Sequence, residues 1–262
     1  MWSDWEGAEV VLREAVEAGK EIRGPAHPST ISDLEAVAAT LDRKGDHEGA
    51  EALYREVLAS FRKAFGEQHP RVASALDGLA LVIKRRGDPA AAEPLLREAL
   101  AINRELLGSN HRNTATSLGK LGSVLADLGR PDQAISLYQE AVAIDRRVLG
   151  TQHLDVAELL FHLGRLHASQ GEFETAESLL TESLGICRGQ LGDTHASTQS
   201  VTGALATVYD RAGKPEQAMS LRNQLPPDRL DAVGTPGTTL VKASRGRLCS
   251  APAHPEGRLR FR

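Results

Sequence analysis

The chain has 262 residues with 31 basic and 35 acidic side chains, a net charge of −4, and only 2 Trp, 3 Tyr and 5 Phe among abundant Ala and Leu. Ala and Leu favour helices whereas aromatic and β-branched residues favour strands, so an all-β fold is excluded from the outset. Two cysteines, Cys187 and Cys249, cannot build a disulfide framework, and no run of about 18 apolar residues offers a membrane span. The N-terminus has no basic n-region or apolar h-region, so the chain reads as cytoplasmic, with no membrane partner.

Histidine recurs at His27, His69, His111, His153 and His195, always 42 residues apart. Gly45, Gly87, Gly129, Gly171 and Gly213 keep the same period, as do Ala50, Ala92, Ala134, Ala176 and Ala218. Such self-similarity is the mark of a stacked repeat. The chain divides into a half-unit (1–26), five units (27–68, 69–110, 111–152, 153–194 and 195–225) and a tail (226–262). In the half-unit, Gly7 to Val16 aligns with Gly49 to Leu58, so it reads as a second helix without its first. It is either a cap over an apolar face or the edge of a longer array, with Trp2 and Trp5 packed at that end.

Each full unit predicts two helices. In the third, Leu118, Leu121, Gly122 and Leu125 form the i, i+3, i+4, i+7 stripe of an amphipathic helix, and Gly129 ends it. Pro131 and Asp132 suit the first turn of a second helix that runs through Ala134, Tyr138 and Ala141 towards Gly150. The last unit decays, with Arg222 where earlier units have Tyr54, Leu96, Tyr138 and Leu180, and Pro226-Pro227 stops it. Residues 223–262 hold seven basic and three acidic residues (+4), which leaves 24 basic against 32 acidic (−8) in residues 1–222. The tail reads as flexible and basic, and the acidic body argues against nucleic acid as a partner.

The first helices carry a large apolar residue, a Leu or Val three later and then a small residue: Leu34, Val37, Ala38; Leu76, Leu79, Ala80; Leu118, Leu121, Gly122; Leu160, Leu163, Gly164; in the fifth unit the set is Thr202, Leu205, Ala206. Together with the Ala of each second helix, this pattern resembles the tetratricopeptide repeat. The 42-residue period, with its His-Pro start and Leu-Gly or Phe-Gly end, is similar to the kinesin light chain subclass. A HEAT or armadillo array is the alternative; the tight Gly turn and the absence of a third short helix favour the first reading. The resemblance implies an all-α fold, a right-handed solenoid of helix-turn-helix repeats whose first helices line a concave face. That subclass typically carries an Asn pair on the first helix, but here those places hold Glu35-Ala36, Asp77-Gly78, Gly119-Lys120, Phe161-His162 and Gly203-Ala204.

Chemical motifs are sparse. The five histidines are one repeat apart and cannot converge on one metal ion, so they read as closing the turn between units. His167 stands where other units have Leu41, Ile83, Leu125 and Tyr209, and reads as packed core. Gly119-Lys120 falls inside a helix and is not a phosphate loop. Cys187 reads as a buried, inert thiol. No catalytic residue, metal site or cofactor is expected.

The remaining candidate is a surface. The faces of the first helices turned from the core stripe carry Asp77, Leu81, Lys84 and Arg85, then Gly119 and Ser123, then Glu158, Phe161 and Arg165, then Arg211. Phe161 and Leu81 suit apolar anchors for a peptide, and Lys84, Arg85 and Arg165 suit its acids. The plain alternative is a solvated face. The sequence therefore predicts a non-catalytic scaffold for a peptide or protein segment. The other reading is the sensor or regulatory region of a larger signalling ATPase or effector.

Overall fold

A computed structural model describes residues 5–226. The tail beyond, with Cys249, and Trp2 lie outside them. Among the described residues there are eleven α-helices and no strand. α1 (Trp5–Arg23) is followed by five pairs: α2 (Pro28–Lys44) and α3 (His47–Phe65); α4 (Pro70–Arg85) and α5 (Pro89–Leu107); α6 (Arg112–Asp127) and α7 (Pro131–Val148); α8 (Leu154–Gln170) and α9 (Phe173–Leu191); α10 (Ala196–Arg211) and the short α11 (Pro215–Arg222). Each helix packs on the next in chain order.

Two sequence devices set the turns. Glycines 24, 45, 66, 87, 108, 129, 150, 171, 192 and 213 all have φ between 70° and 95°, so a left-handed residue follows a helix every 21 positions. At the end of α6 the Gly129 N–H donates to the Ala126 carbonyl at 3.1 Å and the Arg130 N–H to the Leu125 carbonyl at 2.9 Å, which satisfies carbonyls that the helix leaves open. A residue with a Cβ would cost about 1–2 kcal/mol in that conformation.

The second device is the histidine ruler. His27, His69, His111, His153 and His195 are the N-caps of α2, α4, α6, α8 and α10. In each, Nδ1 accepts from the backbone N–H two residues on, at 3.1–3.2 Å. The imidazole thus does what Asn or Ser does at other N-caps, a role worth about 1 kcal/mol.

The small residues mark where paired helices cross. A Cβ on Gly122 would sit 3.2 Å from the Tyr138 ring, and one on Gly164 would sit 2.8 Å from Leu180. Tyr138, Leu96, Leu118, Leu160 and Leu180 are almost fully buried along this axis. A buried Leu contributes about 1.5–3 kcal/mol.

First helices of successive units touch one another directly. Second helices are bridged by long side chains: Arg62 to Glu98 at 2.5 Å, Arg104 to Glu140 at 2.7 Å and Arg146 to Glu182 at 2.7 Å, with Arg188 of α9 reaching Gln224, just past α11, at 2.5 Å. The face on which the first helices meet, formed by α2, α4, α6, α8 and α10, is called the inner face of the stack. At the N-terminal end Arg43 lies over the Trp5 ring at 5.2 Å, and Glu9 of α1 pairs with Lys44 at 2.7 Å.

Candidate binding groove

Among the clefts of the described residues, two on the inner face gather the predicted groove residues. The first lies between α8 and α10, has a volume of about 580 Å³, and is lined by Phe161, Arg165, Gly203, Ala204, Thr207 and Arg211 among others. Small residues open it: Gly203 and Ala204 on α10 face Phe161 and Ala168 on α8. Arg165 lies over the Phe161 ring at 5.5 Å and Arg211 over Phe173 at 5.1 Å. Neither guanidinium makes an ion pair among the described residues, and no carboxylate lines this cleft. It is an apolar slot with two available cations.

The second cleft lies between α6 and α8 over α7 and has a volume of about 460 Å³. Leu81, Arg85, Gly119 and Ser123 line it, together with Arg112, Lys120, Tyr138, Asp145, Asp155, Glu158 and His162. Its cations are engaged within the chain. Arg85 pairs closely with Asp42, Arg112 with Asp155 at 2.8 Å, and Lys120 with Asp77 at 2.9 Å.

Among the residues predicted for the groove, Leu81, Arg85, Gly119 and Ser123 meet at the second cleft, and Phe161, Arg165 and Arg211 at the first. Asp77 and Lys84 line neither. Asp77 is buried, accepting from Lys120 and, at 3.4 Å, from the Ser117 hydroxyl, which in turn accepts from Asn103 at 3.0 Å. Burial pushes the Asp77 carboxyl above its usual range while Lys120 draws it back. The expectation that Asp77 faces a ligand is therefore corrected: it joins α4 to α6. Lys84, expected to meet acids of a peptide, instead pairs with Asp127 at 3.1 Å and contacts Ser123.

Arg112, Tyr138, Asp145, Asp155 and His162 were not legible as groove residues. Asp145 comes from a second helix, outside the first-helix faces expected to line the groove. Its signal is a break in register. Asn103 one unit earlier has Ser117 to bond, but one unit on from Ser117 stands Leu159. Asp145 is 3% exposed with Oδ1 buried and unpartnered. Burial first, and Asp155 second, push its carboxyl up to about 6 against the pull of Arg112 and His153. His162 stacks on Tyr138 at 5.6 Å, and burial, with Arg165 and Lys84 nearby, lowers its ring to about 4, so it is neutral at pH 7. His167 is buried with Nδ1 2.5 Å from Glu172. Cys187 is buried and its thiol is raised by that burial.

Among the described residues no group of three His, Cys, Asp or Glu could hold a metal ion, and no helix is long and apolar enough to cross a membrane.

The tetratricopeptide repeat model matches residues 3–63, 37–105, 71–147 and 114–188. No curated protein matches the chain significantly. Among solved structures, BtubC (BKLC) from P. vanneervenii superposes with a TM-score of 0.72 at 22% identity, covering 99% of both chains. A kinesin light chain-type protein from Podospora anserina with nearly identical TPR-like repeats gives 0.65 at 25% identity, over 79% of this chain and 96% of that one. The apo form of RapI gives 0.62 at 16% identity, over 81% of this chain and 58% of that one. With helix pairs, small-residue crossings and matched repeats in agreement, the chain belongs to the tetratricopeptide repeat family.

Proposed function

We propose that the chain is a non-catalytic scaffold that holds an extended peptide segment of a protein partner along its inner face. Tetratricopeptide repeat domains generally serve protein interaction. The observation that carries the reading is the α8–α10 cleft, where Phe161 is half-buried beside two guanidiniums that no carboxylate neutralises. An apolar side chain next to an acid on the peptide matches it: the apolar group enters against Phe161, Gly203 and Ala204, and the acid meets Arg165 or Arg211. A charge-assisted pair to a guanidinium already stacked on a ring loses less conformational freedom than one to a free side chain.

The test is selection of phage-displayed peptides on the full chain. Recovered peptides carry an apolar residue beside an acid, and Phe161→Ala and Arg165→Glu each weaken their binding about tenfold or more, with helicity by circular dichroism unchanged. Equal affinity of both variants for the selected peptides rejects this cleft as the site.

A further inference from the structure

The cleft between α6 and α8 is lined by three cations and three carboxyls, but they do not cancel in place. Arg85, Arg112 and Lys120 each have a carboxylate partner within the chain, two of them (Asp42 and Asp77) drawn from outside the cleft lining. Only Asp155 of the lining carboxyls is used. Glu158, exposed at the rim, and Asp145, buried in the lining, have no ion pair or side-chain hydrogen bond among the described residues. A buried carboxylate oxygen without a donor is costly, because it has lost water and gained nothing in return.

The neighbouring unit has the means to avoid this. There Asn103, uncharged, gives its Nδ2 to Ser117; here an acid replaces the amide, and Leu159 removes the hydroxyl. Among the described residues no donor reaches Asp145 Oδ1, and the cleft Asp145 lines opens on the inner face. A cation with more than one N–H, supplied from outside, is the complement to such a carboxyl. A bare divalent ion lacks the three converging donors it needs among the described residues. His162, uncharged at pH 7, adds a π surface to the wall without opposing charge.

We infer that the α6–α8 cleft receives an arginine side chain of the peptide partner, its guanidinium donating to Asp145 at the floor and Glu158 at the rim. Arginine fits better than lysine because its planar fork presents several N–H donors to carboxyls and lies flat against a ring. This rests on the peptide-groove reading above, and gives that groove an order: a basic contact in the centre and an acidic one towards α10.

The probe is N-acetyl-L-argininamide, with the uncharged isostere N-acetyl-L-citrullinamide as control. The side-chain carboxyl carbons of Asp145 and Glu158 are followed by NMR in the full chain. A saturable shift at both is expected with the arginine amide and none with the citrulline amide. In Asp145→Asn the Glu158 response weakens about tenfold or more. That variant is isosteric and carries no buried charge, so folding is retained, and a rise in melting temperature confirms it. No shift at Asp145, or equal shifts with both amides, overturns the inference. Peptide selection separates the two readings. Selected peptides without an arginine preference, together with a silent Asp145, defeat only the arginine site. A failure to select any peptide beside a responsive Asp145 defeats only the groove.

Discussion

The two clefts sit on the same scaffold, one repeat apart, yet one has its cations neutralised and the other has them available. The difference lies in a zipper of charges between neighbouring first helices. Asp42 on α2 pairs with Arg85 on α4, and Lys84 on α4 pairs with Asp127 on α6. One unit on, the same two places hold Ala126 and Ser169, and the next hold Ala168 and Arg211. The zipper therefore runs through the first three units and stops, so that Arg211 faces an alanine where Arg85 faces an acid. Repeats share a core because the core must stack; their inner faces diverge because only the partner constrains them.

The largest way to disturb this contrast is at Asp145, whose ionised form is unwelcome in the folded chain. Its folded pKa of about 6 exceeds the usual value of 3.8, so between those two pH values the folded state holds a proton that the unfolded state has released, and stability falls as pH rises. Asp145→Asn removes that loss. Its melting temperature matches that of the parent chain near pH 4 and lies above it from pH 6 upward, by the equivalent of about 2–3 kcal/mol. Thermal melts of both proteins across pH 4 to 7.5 check this. A constant difference at all pH values would mean that the carboxyl is not held protonated.

His162 gives the opposite slope. It lines the central cleft and touches Phe161 of the other, with ring centroids 5.4 Å apart. Because burial lowers its pKa from 6.5 to about 4, the unfolded chain takes up a proton first, and stability is lost as pH falls between those values. His162→Phe keeps a ring against Tyr138 and removes the titration. Between pH 7.5 and 5 this variant gives up about 1–2 kcal/mol less than the parent chain. Urea melts at the two pH values measure it. In the parent chain Asp145 and His162 oppose one another, so only the single variants expose either slope.

A third change extends the zipper. Ala168→Asp places an acid opposite Arg211, as Asp42 stands opposite Arg85. Peptides selected on the parent chain then lose about tenfold in affinity at the α8–α10 cleft, through an intramolecular competitor for the guanidinium. Titration of the arginine amide at Asp145 stays unchanged, which shows that the two clefts are chemically separate.

The fold was legible because its determinants repeat. A glycine that needs positive φ, an alanine at a crossing and a histidine at a turn each return every 42 residues, and repetition separates them from chance. The placing of Phe161, Arg165 and Arg211 along one cleft was legible because a first helix buries one stripe and must turn another outward. The partnering of charges was not. Lys84 and Arg85 look alike in sequence to Arg165, and only their distances to Asp127 and Asp42 distinguish an engaged cation from an available one. Asp145 escaped for another reason: its signal is the joint change of Asn103 to Asp145 and Ser117 to Leu159, two positions in different helices whose contact the sequence does not announce.

The smallest expected effect concerns the caps that hold the cleft walls. His111 starts α6, a wall of the central cleft, and His195 starts α10, a wall of the other. Replacing either by alanine removes the acceptor for the N–H of Asn113 or Ser197 and costs about 1 kcal/mol, whereas asparagine, whose side-chain oxygen also accepts, restores most of it. In a solenoid each unit leans only on its neighbours, so the loss stays local. Hydrogen exchange should accelerate in the first turn of α6 in His111→Ala and in that of α10 in His195→Ala. The first variant weakens the arginine-amide response and spares the α8–α10 cleft, and the second does the reverse. If instead both variants loosen both helices equally, the stack acts as one cooperative body and its two clefts are energetically coupled.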